Sequence, residues 1–459
     1  MVDAVRSAAD DAGCTALLAQ VGCIAIPQGM WSYGDPARLV ADEIGSPQAK
    51  TVRAEFGVLQ QTLISNACES IVRGEIDVAV VAGGEAKYRQ LIASINGVEA
   101  GERTQRDAVA DIVIKPASEI WLEAEAAAGL GMPVGFYAIY ASALRAHNGW
   151  NMAQDREKVA ALYQRFSEIA ADNPQAWRRQ RISAERFLQI DDKNPMLAFP
   201  YSKLHNTSWN VDQAAGLILT SAAKAQALGI PQQRWVFPLA AAESNHMVAL
   251  SQRKNLHQLP GARICAESVL SAHDLLPDDI DYWDLYSCFP VAVQLYASAA
   301  KIPADRDYTV TGGMPFAGGP LNNYVLQSAV KMAQLLRGKK PAYGMLSSVS
   351  GMLTKQAFSL WSGQPGQRPY RAVDLSAEVE SETAVMQVID GYCGEGVIAG
   401  CTVLFQSGRP DRAVAVIDID EHTRCIAHHE NPQWMQHMME EECVGCRVAV
   451  SEGVFSLLL

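Results

Sequence analysis

Residues 57–86 read GVLQQTLISNACESIVRGEIDVAVVAGGEA, and residues 321–351 read LNNYVLQSAVKMAQLLRGKKPAYGMLSSVSG. Each stretch is a helix followed by a short apolar strand. In the first, Leu59, Leu63, Ala67 and Ile71 recur every four residues and mark one buried helical face. The basic last turn and glycine of Arg73-Gly74 stop the helix, and Ile76–Val81 forms a buried strand running into Gly83-Gly84. In the second, Leu321, Val325, Val330 and Leu336 line the face, Arg337-Gly338 stops the helix, and Ala342–Ser348 is the strand.

The elements on either side repeat as well, at an offset of about 262 residues. Helix Val2–Ala12, the strand-like run Val21–Pro27 and the helical stretch Asp35–Glu43 precede Gly57. Helix Ala262–Ala272, the run Tyr282–Ser287 and helix Val291–Lys301 precede the turn Gly318-Gly319-Pro320. Alternating strands and helices imply parallel sheets covered by helices on both faces. The expected fold class is therefore α/β, with two similar halves packed together.

Between the halves lies a helical insertion, residues 115–200. Asp155 can cap a helix whose apolar face carries Val159, Leu162, Phe166 and Ile169. The basic run Gln175–Phe187 reads either as a solvated helix face or as a cradle for a phosphorylated ligand such as coenzyme A. After Trp361 the glycines and prolines of Ser362–Pro369 read as a linker. Strand-like runs follow at Ala384–Ile389, Val397–Phe405, Ala413–Ile419 and Thr423–Ala427, with a short helix near Gln433–Glu440. Turn signals at Ser407-Gly408 and Arg409-Pro410 fit a hairpin, and the whole reads as a small antiparallel β-barrel. The expected domains are 1–230, including the insertion, 231–362 and 370–459.

The chain has 459 residues, 49% hydrophobic and 19% charged, which suits a globular protein with a large core and excludes a disordered tail. Acidic residues outnumber basic ones by 50 to 38, and no dense Lys/Arg run occurs, so nucleic acid and anionic membrane are not expected partners. No apolar run approaches ~18 residues. The opening MVDAVRSAADDAGCTALL lacks a basic flank and a continuous apolar run, so a cytoplasmic protein with ten reduced cysteines is expected.

As an ordered set, several strings resemble the thiolase superfamily. Gly74–Ala86 is similar to the strand after the nucleophile's helix, and NVDQAAGLILTSAAKAQALGI, Asn210–Ile230, to the passage towards the carboxy-terminal half. TGGMPFAGGPLNNY, Thr311–Tyr324, resembles the segment holding the catalytic histidine, and YSCF, Tyr286–Phe289, stands where thiolases show Asn-Glu-Ala-Phe or His-Asp-Cys-Phe. The subgroup resembled is the thiolase-like protein type 1 group, similar to sterol-carrier-type thiolases with an added carboxy-terminal domain. The resemblance implies a duplicated, five-layered thiolase fold of α/β/α halves with a helical loop insertion, plus an OB-like barrel. It also implies an acyltransferase class of lipid metabolism, acyl-coenzyme A thioesters as ligands, and no tightly bound cofactor. A monomer or homodimer is expected, with a protein partner reached through the barrel. The family opens with an earlier strand, so the first sheet is expected to be incomplete.

The family's chemistry transfers poorly. Its nucleophilic cysteine sits just before the helix that leads to the AGG strand, where a helix amino terminus lowers a thiol pKa. Here that place falls at Gly57 or Val58. Cys68-Glu69-Ser70 mimics a Cys-x-Ser pattern but lies in mid-helix, as a small apolar filler would. The Gly-His-Pro histidine is replaced by Gly319, and Ser348-Val349-Ser350-Gly351 stands near the Cys-x-Gly position. Ordinary thiolysis or Claisen condensation is not expected.

Other polar groups then become candidates. For catalysis these are Tyr286, Ser287 and Cys288, at the end of a parallel strand, together with His246. For substrate binding they are His205, Asn206, Gly318, Gly319, Asn322, Asn323 and Ser348, the asparagines lying at a helix start beside glycines that allow close approach. The plainer reading of each histidine is a hydrogen-bonded structural residue. Cys425-x-x-His428 and Cys443-x-x-Cys446 have zinc-ligand spacings, with isolated thiols as the alternative, and no metal is expected. Three functions follow: an acyl-coenzyme A binder or transformer without the thiolase triad, an aldolase-type lyase on a β-hydroxyacyl-coenzyme A using Tyr286 and Cys288, or a non-catalytic scaffold.

Overall fold

The computed structural model describes residues 1–101, 105, 107–338 and 342–458. The chain opens with α1 (Val2–Ala12), β1 (Cys23–Pro27), α2 (Pro36–Ile44), β2 (Lys50–Ala54), α3 (Gln60–Val72), β3 (Val78–Ala86), α4 (Lys87–Ile95) and β4 (Ile112–Ile114). The insertion contributes α5 (Glu123–Ala127), α6 (Pro133–His147), α7 (Met152–Asp172), α8 (Ala184–Leu188) and two short strands, β5 (Met196–Ala198) and β6 (Tyr201–Ser202). Strand β7 (Asp212–Thr220) then completes a five-stranded sheet of order β4-β2-β1-β3-β7, parallel except for β7.

The second half follows as α9 (Ala222–Ala227), β8 (Phe237–Ser244), α10 (Pro260–Ser271), β9 (Tyr282–Asp284), α11 (Pro290–Ala299), α12 (Tyr324–Leu336), β10 (Tyr343–Ser350), β11 (Lys355–Ser362) and β12 (Arg371–Asp374). Its sheet runs β12-β8-β11-β10-β9. Helices α3 and α12 touch each other and lie between the two sheets, while α1 and α10 cover the outer faces. Because α3 is enclosed on several sides, Gln60, Gln61 and Ser65 are buried along with Leu63, Ile64, Ala67 and Cys68. Where α3 and α12 begin, Gln60 donates to Asn322 at 3.2 Å, a pair 262 positions apart in the chain. The repeat in the sequence thus meets itself at the centre of the molecule.

The last part contains α13 (Ser376–Glu382), β13 (Gln387–Val388), β14 (Gly394–Gln406), β15 (Arg409–Asp418), β16 (Thr423–His429), α14 (Pro432–Glu440), β17 (Arg447–Ser451) and β18 (Val454–Leu457). The pairings β14–β15, β15–β16, β16–β18, β18–β17 and β17–β14 form a closed circuit around Ile398, Val403, Ile417 and Phe455. It differs from an all-antiparallel arrangement, since β13–β16 and β16–β18 are parallel.

Three further points depart from the sequence reading. The Gly/Pro-rich stretch 362–369 does not leave the α/β core, because β12 beyond it pairs with β8. The insertion is not separate from the last part, since β5 pairs with β14 at Ala198↔Leu404. Helix α7 is capped by Asn151, whose side chain accepts from the Gln154 amide at 2.9 Å, and Asp155 is buried inside the first turn. That cap saturates an amide that the helix itself leaves unpaired.

Asp155 packs near Arg145 of α6, which makes a bidentate pair with Glu442 at 2.8 and 3.2 Å. Burial pushes the Asp155 carboxyl from 3.8 up to about 6; Arg145 opposes this and Glu442 adds to it. A carboxyl whose folded pKa is raised takes up protons on folding between about pH 4 and 6, so stability falls as pH rises through that window. Asp155→Asn should remove that slope. The variant and wild-type chains should have equal urea midpoints near pH 4, and the variant should be more stable by up to ~3 kcal/mol at pH 7.5. Parallel pH profiles would refute this.

Candidate functional site

The carboxy ends of the parallel strands and the starts of α3 and α12 converge where the halves meet. At the head of α3, Gly57 has φ +93°, and a Cβ there would lie 2.9 Å from Pro116. Its carbonyl accepts from Lys355 Nζ at 2.9 Å. Lys355 is 1% exposed, and burial lowers its pKa. Ile120, from the same insertion segment as Pro116, stands 3.0 Å from the position a Cβ would take on Gly351. The insertion therefore fills the space in front of Gly57 and Gly351 with apolar side chains.

At the head of α12, Asn322 Nδ2 donates to the Gln28 carbonyl at 2.8 Å while its Oδ1 receives Gln60. Asn323 packs against Gly83, where a Cβ would come within 2.7 Å of its amide group. A side chain at Gly318 would meet Gln213, and one at Gly319 would meet Thr207, so neither position has room for an imidazole as packed. The Ser348 hydroxyl is buried without a hydrogen-bond partner among the described residues, and its carbonyl accepts from Tyr296 at 2.9 Å.

The Tyr286–Cys288 turn is built on Asp284. The Asp284 carboxylate accepts from Tyr324 OH at 3.0 Å, Ser328 at 2.6 Å, Thr309 at 2.9 Å, Thr311 at 3.1 Å and the amides of Val310 and Thr311. Ser287 Oγ receives the Met314 amide at 3.0 Å and donates to Tyr324 OH at 3.3 Å. Tyr286 crosses Tyr324 edge-on at 5.7 Å, and its amide donates to Ser347 Oγ at 2.8 Å. Burial pushes the Cys288 thiol up to about 12 and also raises the Tyr286 phenol. These groups hold the turn together, and their neutral forms are the favoured ones.

The remaining candidates lie elsewhere. His205 is enclosed by Tyr163, Phe187 and Tyr201, and its Nδ1 pairs with Ser202 Oγ at 2.9 Å. Burial pulls its pKa down to about 3, so it stays neutral. Asn206 donates to the Ser202 carbonyl at 2.8 Å. His246 lines a separate small cavity with Arg253 and Gln356, and its Nε2 has no partner. The basic run is a loop for most of its length, with Arg181 paired to Asp172 at 2.9 Å and Arg186 to Asp191 at 3.0 Å. Cys68 is buried in α3, where burial pushes its thiol up to about 12. Cys425 and Cys443 are also buried, His428 lies on β16, and Cys446 precedes β17. Among the described residues no group of three or more His, Cys, Asp or Glu converges to hold a metal ion.

Sequence reasoning did not single out Lys355, Gln60, Pro116 or Ile120. For Lys355 a signal existed: it is the one basic residue in KQAFSLWS, a run buried from end to end.

A monomeric SCP2-thiolase-like protein type 1 from Mycobacterium smegmatis superposes at TM-score 0.82, covering 100% of this chain and 95% of that one at 22% identity. The chain has a thiolase-like fold. The Ltp2-ChsH2(DUF35) aldolase shares this thiolase-like core at TM-score 0.56 and 16% identity, over 78% of this chain and 91% of that one. In sequence, acetyl-CoA acetyltransferase from Methanothermobacter thermautotrophicus is 25% identical over 287 residues, 58% of this chain and 71% of the relative. No family model matches.

Against the thiolase-like fold, the consequences of Gly57 and Asp284 can be measured. Gly57→Cys should not restore an acyl-enzyme and should cost about 1–2 kcal/mol from its left-handed backbone, with more from the Pro116 contact. Urea denaturation and intact-mass analysis after acyl-coenzyme A exposure check both outcomes. Asp284→Ala leaves several buried donors unpaired and should destabilise the chain by about 3 kcal/mol, again read by urea denaturation.

Proposed function

We propose that this chain binds acyl-coenzyme A thioesters through the thiolase-like core and forms no acyl-enzyme. One observation carries the reading: at Gly57, which with Val58 is where the resemblance puts the nucleophile, the carbonyl is held by Lys355 and the side-chain space is taken by Pro116. A helix amino terminus activates a thiol only if one is present there. The acetyl-CoA acetyltransferase relative supports the ligand class and an acyltransferase ancestry, and a place in lipid metabolism is part of the same proposal. The degenerate positions Gly57, Gly319 and Ser348–Gly351 argue against thiolysis. On this reading Gln28, Gln60, Asn322 and Asn323 are the polar groups facing the thioester end of the ligand.

A second reading, an aldolase-type lyase on a β-hydroxyacyl-coenzyme A, is favoured by likeness to a protein described as an aldolase. It is the weaker one, because Cys288 is buried and Tyr286 half-buried, and burial disfavours the ionised form of each. We read the closed strand circuit near the carboxy terminus as a small OB-like barrel, and a protein partner reached through it fits either function. A monomeric state is supported by the monomeric neighbour.

Calorimetry and trapping test the proposal together. Saturable binding of acetyl-coenzyme A, with no acyl adduct on any cysteine by mass spectrometry, is expected. A stoichiometric adduct would overturn the claim that the nucleophile is gone. No binding at millimolar ligand would favour a scaffold, and release of an aldehyde or ketone from a β-hydroxyacyl thioester would favour the lyase.

A further inference from the structure

Cys443 and Cys446, spaced as metal ligands are, belong to no metal-holding group among the described residues. They are instead the first and last residues of a tight turn between α14 and β17. The Cys446 amide donates to the Cys443 carbonyl at 3.1 Å, and Gly445 between them has φ +90°. A left-handed third residue is what a type II turn requires, and glycine adopts it without strain. The end Cα atoms of such a turn lie within about 7 Å of each other, and a disulfide bridges pairs up to about that separation.

The turn is also held from outside. Gly445 donates its amide to the Ile398 carbonyl at 2.8 Å, and the Ile398 amide donates to the Cys446 carbonyl at 3.0 Å. Strand β14 thereby fixes the backbone that carries both thiols, so bridging them orders little further chain. The two thiols differ in their surroundings. Cys443 is 1% exposed, in the apolar core that also holds Cys401 and Met438. Burial pushes its thiol up to about 12, and the nearby Cys446 adds to the rise. Cys446 is half-buried and meets a dissolved reagent first. Glu442, next to Cys443, accepts from Arg145 of α6 at 2.8 Å and from the Val444 amide at 2.9 Å. The pair of thiols therefore adjoins the ion pair that ties the insertion to the tail.

We propose that Cys443 and Cys446 form a reversible dithiol–disulfide site that exchanges with small-molecule disulfides. The Cys446 thiolate attacks one sulfur of the reagent disulfide, expels the other as a thiolate, and is left as a mixed disulfide. Cys443 then gives up its proton to solvent, and its sulfur displaces the second reagent thiolate as the protein disulfide closes. One reagent disulfide becomes two thiols while two protein thiols become one disulfide. Val444 lies inside the closed ring, so the bond restrains the loop that also holds Glu442 against Arg145.

The test uses the full chain carrying Cys393→Ser, which removes an exposed thiol elsewhere in the tail. The folded protein is equilibrated with mixtures of reduced and oxidised glutathione, quenched with acid, alkylated and mapped by peptide mass spectrometry. A Cys443–Cys446 disulfide is expected, disappearing as reduced glutathione is raised and returning when the ratio is reversed. Oxidation should also slow hydrogen exchange of the Val444 amide. Cys443→Ser should accumulate a glutathione mixed disulfide at Cys446, because the thiol that resolves it is gone. Cys446→Ser should react at Cys443 roughly tenfold more slowly or less, the remaining thiol being buried. Urea midpoints check that both variants fold, and the mapping of the Cys393→Ser chain stands without them. Three results would overturn the proposal: no Cys443–Cys446 disulfide in oxidised glutathione alone, a bridge from either residue to Cys401 instead, or a disulfide that forms only in urea.

Discussion

One buried carboxylate organises the second half and, through it, the centre of the molecule. Asp284 ends β9 and receives hydrogen bonds from Thr309, Thr311, Tyr324 and Ser328. A carboxylate removed from water is tolerated only when its lone pairs are filled, and charge-assisted bonds are the strong ones. Those bonds tie the strand end to the turn Thr309–Thr311 and to the first turns of α12. The position of Asn322 against Gln28 and Gln60 therefore depends on a residue that touches neither half's site surface.

The same arrangement commits the hydroxyls around Tyr286 to holding the fold. Ser287, Thr311 and Tyr324 spend their hydroxyls on one another and on Asp284. What lies in front of Gly57, at the start of α3, is apolar: Pro116 and Ile120, brought in by the insertion. Lys355 is the exception, an amine that donates to a backbone carbonyl, that of Gly57. A buried ammonium with a neutral partner is poised differently from one in an ion pair, since burial works against its charge.

The duplication was readable because it is local and periodic. Helix stops at Arg73-Gly74 and Arg337-Gly338, and strands rich in small apolar residues, repeat in the sequence without any knowledge of contacts. The readings of Gly57 or Val58 and of Gly319 likewise rest on single residues inside ordered strings. Pairing partners were not. Strand β12 follows a run of glycines and prolines that signals an exit, yet it returns to β8. The parallel pairing of β16 with β18, and the union of β5 with β14, join segments whose residues carry no mark of their distant neighbours. Asp155 and Asn151 both suit a cap chemically, and only the turn's geometry chooses Asn151. Burial by a second layer, which turns Cys288 and His205 into neutral packing groups, is likewise a property of the assembled chain.

The meeting of β5 with β14 bears on how such a chain can be divided. Helix α6 is buried along nearly its whole length and lies against β14, while Phe199 donates its amide to the Val403 carbonyl at 2.8 Å. The carboxy-terminal sheet is therefore not cargo hung from a finished α/β core. The insertion and the tail share one solvent boundary, so cutting either away would open the apolar face of the other to water.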